Sequence, residues 1–235
     1  MPPRGKLIVF EGIDGSGKRT QLELLTHALS DRKIAHERIS FPRYGGFFGD
    51  LVAKYLNGDF GGLDTVDAHL SALLYASDRF EAKPKIESIL ASGKLLVADR
   101  YIASNLAHQG ARAPRQKREE FLAWLKKLEY EVYGLPAEDL VIYLRVPADA
   151  AHAQVGAKGA RDYTNLKLDI HESNVAHLTD AAEVYDSLAR SPNWVRIDCV
   201  NTGAGPGSTL RAPEEIHKEV LAAVESHIGA ARTAT

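Results

Sequence analysis

The stretch Leu7-Ile8-Val9-Phe10-Glu11-Gly12-Ile13-Asp14-Gly15-Ser16-Gly17-Lys18-Arg19-Thr20 decides the fold. Its first five residues are almost continuously apolar, as short strands covered on both faces are. Glycines at 12, 15 and 17 follow, then Lys18, then a run in which Leu22, Leu25 and Leu29 recur at helical spacing. A strand that turns sharply through glycines into a helix aims several backbone N–H groups at one point. The helix N-terminus adds partial positive charge there, and a lysine adds a whole one. Gly12, Ile13, Asp14, Gly15, Ser16, Gly17, Lys18, Arg19 and Thr20 therefore read as a phosphate-binding loop, with Lys18 reaching the β and γ phosphates of a nucleotide.

Outward from this stretch the pattern repeats. Further apolar runs lie at Ala35–Phe41, Leu95–Asp99, Leu140–Val146 and Trp194–Val200. Between them run stretches of helical period: Lys18–Ser30, Asp64–Ser92 (interrupted at Pro84), Arg115–Tyr133, Leu168–Arg190 and Pro213–Ile228. Strands alternating with helices predict right-handed crossovers and a three-layer α/β domain, a parallel five-stranded sheet flanked by helices. The Gly-, Ser- and Pro-rich segment Asn201–Pro213 reads as a loop and Ala230–Thr235 as a frayed tail, leaving 1–235 as one domain.

The chain has 235 residues, 29 basic against 31 acidic, and a formal net charge of −2. That balance argues against a dedicated nucleic-acid or membrane-surface protein. Cys199 is the only cysteine, so no internal disulfide forms, which fits a reducing cytoplasm. No apolar run nears the roughly 20 residues of a membrane helix. Met1 to Lys6 is too short and polar for a signal peptide.

Arg19 breaks the loop pattern. Ser or Thr normally follows the lysine and offers magnesium a hydroxyl; a guanidinium only binds anions. Thr20 lies about 100° further around the helix and is a poor stand-in. Either Arg19 binds phosphate while carboxylates and waters hold the metal, or turnover is weakened.

Three further stretches carry a resemblance: Phe41-Pro42-Arg43-Tyr44-Gly45, Tyr75-Ala76-Ser77-Asp78-Arg79-Phe80, and Asp99-Arg100-Tyr101-Ile102-Ala103-Ser104-Asn105-Leu106-Ala107-His108-Gln109-Gly110. With Phe10-Glu11-Gly12-Ile13-Asp14-Gly15, their order and spacing closely resemble thymidylate kinase, specifically from about Lys6 to Gly110 and by element order beyond. Some bacterial members also carry Arg after the loop lysine. The resemblance implies the P-loop nucleotide kinase architecture, and transfer of the ATP γ-phosphoryl group to dTMP, giving dTDP and ADP.

By that resemblance Arg43 and Arg100 grip the acceptor phosphate, unless they are surface arginines in salt bridges; Asp14 and Asp99 lie near magnesium, partly through water, unless Asp14 only stabilises the loop and Asp99 orients Arg100. Lys18, Asp14, Arg19, Arg100 and Arg161 form the catalytic set. Tyr75 stacks on thymine, although its pattern alone also suits core. Arg79, four residues on and facing the same way, reaches the base or phosphate. Ser104 and Asn105 offer hydrogen bonds to the pyrimidine edge, unless Asn105 only caps a helix. Phe41 and Tyr44 wall the pocket, and Gln109 has a weak role. His108 stands where relatives usually have Tyr or Phe against the sugar; its smaller ring bears on discrimination against ribonucleotides, or is plainly structural.

A lid is expected at about 148–168, with Gly156 and Gly159 for flexibility and Lys158, Arg161 and Lys167 for charge. Asp162, Asp169 and Glu172 compete for the role of its carboxylate. The adenine pocket falls near Asp198–Thr202. Relatives form homodimers, for which Asp64–Ser92 and Phe121–Tyr133 are the candidate faces. The alternatives are a related kinase for another nucleotide or nucleoside, and a non-catalytic nucleotide-binding protein.

Overall fold

The computed structural model describes residues 3–151, 175–201 and 210–232. Five strands, β1 (Leu7–Glu11), β2 (His36–Ser40), β3 (Leu95–Asp99), β4 (Leu140–Arg145) and β5 (Trp194–Asp198), form one sheet in the order β2-β3-β1-β4-β5. Every pairing is parallel; β1 lies between β3 (Leu7 opposite Leu96) and β4 (Ile8 opposite Leu140). Each of the five expected strands is present. Seven helices are described: α1 (Lys18–Asp31), α2 (Phe47–Leu56), α3 (Ala68–Ala91), α4 (Ile102–Arg112), α5 (Arg118–Lys126), α6 (Val175–Leu188) and α7 (Pro213–Arg232).

Alternation along β1 builds both faces of the core. Ile8 and Phe10 pack with Leu22, Leu25 and Leu29 of α1, Leu178 and Tyr185 of α6, and Val220 of α7. Leu7 and Val9 pack with Ile86 and Leu90 of α3, Ile102 and Leu106 of α4, and Phe121 and Leu125 of α5. A small cluster of Val52, Tyr55 and Leu56 seats α2 against Leu74 and Tyr75.

The structure corrects several boundaries. Pro84 does not break its helix: α3 runs unbroken past it. Pro84 lies on the exposed face, so the carbonyl its missing N–H leaves unserved faces water. The stretch expected as one helix from Arg115 begins with a 3-10 turn at Arg115–Lys117 and ends in a π-helical turn at Lys127–Val132. The expected tail at Ala230–Thr235 is helical as far as Arg232. Helix α2 has no counterpart among the expected helices, and α4 begins at Ile102, three residues before the Asn105 that was read as its possible cap. Most of the expected lid, including Gly156, Lys158, Gly159, Arg161, Asp162, Lys167, Asp169 and Glu172, lies outside the described residues.

Because all strands run the same way, their carboxyl ends share one edge, and β1 is the point from which the chain winds both ways. Ligands of open α/β sheets bind at such a switch point.

Candidate active site

The phosphate loop leaves β1 at Glu11 and enters α1 at Lys18 through glycines with φ of +143° (Gly12), +85° (Gly15) and +86° (Gly17). Side chains rarely adopt these angles. Gly15 has a second reason: a Cβ there would lie 2.3 Å from the Ala151 carbonyl oxygen. Lys18 is folded back into the loop, its Nζ donating to the carbonyls of Gly12 (2.9 Å) and Ile13 (3.0 Å). Burial, with Arg100 nearby, pushes its amine down to about 8. Arg19 and Thr20 are both exposed, and Arg19 Nε donates to Glu23 at 3.1 Å, on the helix surface.

Arg100 is the hub. Its backbone is left-handed, φ +66°, a costly conformation for any residue with a side chain and one that functional sites tend to retain. Its N–H donates to the Phe10 carbonyl, tying β3 to β1. Arg100 Nη2 donates to Asp14 Oδ1 at 2.6 Å, and Nη1 to Gly12 O (3.1 Å) and Ser104 Oγ (3.0 Å). Burial works to raise the Asp14 carboxyl, but Arg100 and Lys18 outweigh it and hold it well below the usual range.

Beneath Arg100 lies Glu11, fully buried. Its carboxylate accepts from the backbone N–H groups of Tyr101 (2.8 Å) and Ser104 (3.1 Å), from Ser104 Oγ (2.6 Å) and from Tyr185 Oη (2.8 Å). The first turn of α4 has no cap of its own; Glu11, from another element, supplies it. Ser104 is therefore committed to Glu11 and Arg100 as well as facing the pocket.

Of the ten residues expected to contact the acceptor, nine line one cavity beside the loop: Phe41, Tyr44, Tyr75, Arg79, Arg100, Ser104, Asn105, His108 and Gln109, with Asp14. It encloses about 560 Å³ with its open mouth. Arg43 is not in this lining: Nε donates to Asp78 Oδ1 (3.0 Å) and Nη2 to Glu81 Oε2 (2.6 Å). Asp78 is almost wholly buried, which pushes its carboxyl up despite Arg43. Tyr75 meets Tyr55 edge-on at 6.3 Å, so its ring is both cavity wall and packing. Asn105 does not cap its helix; it sits in the fourth position of α4, inside the first turn and a half.

Arg79 is buried and paired through two 2.6 Å hydrogen bonds with the buried Glu129, from the π-helical turn. His108 Nε2 lies 3.4 Å from Arg100 Nη1 and its Nδ1 3.4 Å from His177 Nε2. Burial and Arg100 push His108 well below its ordinary value; burial and Arg112 push His177 down to about 4. Both rings are neutral at pH 7.

Asp99 closes β3. Its Oδ1 is buried and has no hydrogen-bond partner among the described residues, and no hydrogen bond joins it to Arg100. A buried carboxylate oxygen left unsatisfied beside a phosphate loop fits a hard cation or its water. Among the described residues no three acidic, His or Cys groups gather as a protein-only metal cage.

Four participants escaped the sequence: Glu11, Asp78, Glu129 and Tyr185. Glu129 had a visible signal. It falls four residues after Leu125 and eight after Phe121, a charge on the apolar face. Glu11 had a weaker one, an acid ending an otherwise apolar strand.

Residues 10–202 match the family model described as "Thymidylate kinase". A thymidylate kinase of Mycobacterium tuberculosis (strain CDC 1551 / Oshkosh) is 31% identical over 212 residues, covering 88% of this chain and 98% of the relative. That of Homo sapiens is 38% identical over 164 residues, 69% of this chain and 70% of the relative. A solved structure of thymidylate kinase from Candida albicans superposes with a TM-score of 0.71 at 21% identity, over 95% of this chain and 92% of that one; it supports the fold. With a glycine-rich loop, an arginine hub and a cavity on one sheet edge, and with a match spanning all three, the chain belongs to the thymidylate kinase family.

Proposed function

We propose the following division of labour for the reaction that family membership entails, transfer of the ATP γ-phosphoryl group to dTMP to give dTDP and ADP. Gly12 to Thr20 wrap the ATP phosphates. Lys18 leaves the Gly12 and Ile13 carbonyls to follow the charge moving between donor and acceptor. Arg100, backed by Asp14 and Glu11, holds the acceptor phosphate in line with the γ-phosphorus; positioning and charge neutralisation are most of what such a reaction needs. Arg43, held on Asp78 and Glu81 between Pro42 and Tyr44 of the cavity wall, acts as a second phosphate grip.

Tyr75 and Phe41 flank the base, Arg79, Asn105 and Gln109 read its polar edge, and His108 lies against the sugar. Asp99 and Asp14 would hold magnesium, partly through water, where it neutralises phosphate charge. Arg19 contributes only on leaving Glu23, and Arg161 joins from the segment after β4. We further propose a homodimer, and a cytoplasmic location that accords with a single cysteine, Cys199, whose thiol burial pushes up to about 12.

What supports this reading best is that nine expected acceptor contacts, drawn from three separate stretches, line one cavity next to the loop. The test is ADP release with magnesium, ATP and a panel of dTMP, dUMP, UMP, dCMP and thymidine. Turnover should favour dTMP strongly, and Arg100→Ala should lower kcat/KM by about 100-fold or more, as removal of a charged transition-state contact does. Indifference among the panel would overturn the acceptor assignment. Activity only in Arg19→Ser would mean that the arginine had switched the enzyme off.

A further inference from the structure

Asn105 and Gln109 lie four residues apart on α4 and face the same cavity. Each carries a buried polar atom with no hydrogen-bond partner among the described residues, Oδ1 of Asn105 and Nε2 of Gln109. One is an acceptor, the other a donor.

Neither amide is free to turn over. Asn105 Nδ2 spends both protons, on the Ala72 carbonyl (3.0 Å) and on Glu129 Oε1 (2.8 Å). Reversed, its oxygen would face two acceptors. Gln109 Oε1 accepts from Ser71 Oγ (2.8 Å) and Arg112 Nη1 (2.7 Å). Reversed, its NH₂ would face a guanidinium. Glu129 is held in turn by the two hydrogen bonds from Arg79, and a carboxylate so paired has nothing to donate. Arg112 is anchored by the carbonyls of Leu63 (2.8 Å) and Val66.

We propose that Glu129, with Ser71 and Arg112, locks the hydrogen-bond polarity of the base-reading edge and so sets which pyrimidine the enzyme accepts. Beside the donor Arg79, the two locked amides offer this edge one acceptor, at Asn105, and one donor, at Gln109. It matches a pyrimidine with a ring N–H beside a carbonyl. It opposes a 4-aminopyrimidine, whose ring nitrogen accepts and whose exocyclic group donates. A site built to satisfy buried polar groups discriminates strongly because the wrong partner leaves them unpaired. Glu129, Ser71 and Arg112 are positioning residues: they act through the amides. The inference rests on reading this cavity as the acceptor-base pocket.

The test compares kcat/KM for dTMP and dCMP in the wild type, Glu129→Gln, Ser71→Ala and Asn105→Ala. A glutamine at 129 that turns its NH₂ toward Asn105 removes one of the two acceptors that fix that amide, leaving only the Ala72 carbonyl to oppose its reversal. The dTMP-to-dCMP ratio should fall about tenfold or more, through KM, with kcat at saturating dTMP changing about threefold at most. A purely structural role would weaken both substrates in proportion; a folded Glu129→Gln with an unchanged ratio overturns the proposal. If Glu129→Gln does not fold, Ser71→Ala decides, since it removes one of the two donors that hold Gln109, leaving only Arg112, without stranding a charge. A fall of about threefold in the ratio supports the lock, and no change overturns it. Asn105→Ala separates the two readings: an unchanged KM for dTMP removes the base pocket itself, whereas a raised KM beside unchanged ratios in the other variants removes only the lock.

Discussion

Lys18 enters the reaction from an unusual state. Its amine is buried against loop carbonyls and pushed down to about 8, chiefly by burial and by Arg100. A polyphosphate brings negative charge and raises that value toward the ordinary 10.4. At pH 8 about half of the free enzyme's Lys18 is therefore neutral and must take up a proton as ATP binds. Calorimetry at pH 8, in buffers of different ionisation enthalpy, should give an uptake on the order of half a proton, vanishing near pH 6.5. No buffer dependence at pH 8 would show that Lys18 is charged beforehand. Glu138 makes the opposite kind of case. It is buried, hydrogen-bonded by Tyr130 Oη at 2.7 Å, with Oε1 unpartnered, and burial pushes it up to about 7. A carboxyl raised on folding binds more protons folded than unfolded between about 4.5 and 7, so stability falls as pH rises through that window. Glu138→Gln keeps an acceptor for Tyr130 and removes the charge. Urea denaturation should show a gain on the order of 2 kcal/mol at pH 8 and almost none at pH 4.5.

At the scale of elements, the site depends on how α4 begins. Four donors converge on Glu11, two from the backbone of the first turn. Glu11→Gln turns one oxygen into an NH₂ that must face a donor. It should cost roughly 2–4 kcal/mol and lower the melting temperature, because a buried group is left unsatisfied. It should also weaken dTMP turnover, since Ser104 and Arg100 are aligned from that turn; a variant with wild-type melting would show that the cap is dispensable. The loop glycines differ in kind. Gly15→Ala drives a methyl into the Ala151 carbonyl, whereas at Gly17 the space is open. Gly17→Ala should lose only the left-handed backbone cost of roughly 1–2 kcal/mol, and Gly15→Ala distinctly more.

This contrast also marks what was legible beforehand. Strands, the loop and most cavity residues follow from short-range patterns: apolar runs, glycine spacing, motifs within one turn. Glu11, Glu129 and Asp78 act across 24 to 93 residues of chain. Their partners are set by packing, so an isolated acid in an apolar run was the only trace. The π-helical turn left no trace, since it keeps helical composition while shifting the ladder. Pro84 misled because local chemistry forbids what an exposed face permits.

At the scale of the molecule, α3 carries apolar residues outward. Leu70 and Phe80 are 61% and 48% exposed, with Leu73 between them on the same stripe, and Val132 is 65% exposed nearby in sequence to Tyr133, which Phe80 touches at 4.6 Å. Apolar surface of this kind suits the homodimer proposed above. Sedimentation velocity should give a dimer, and Phe80→Glu a monomer with unchanged circular dichroism; a dimer in that variant would place the contact elsewhere.

The strand order has a consequence for how the protein comes into being. β1 precedes the other four strands in the chain, yet it is flanked on both sides only once β4 has been made, because its neighbours are β3 and β4. During synthesis the segment bearing the phosphate loop must wait until residue 145 has left the ribosome before both its flanks are filled. Pairings at such separation form slowly and leave apolar edges uncovered meanwhile. A nascent chain stalled before β4 should be held by chaperones and retain no nucleotide, and one extended beyond β4 should begin to do so.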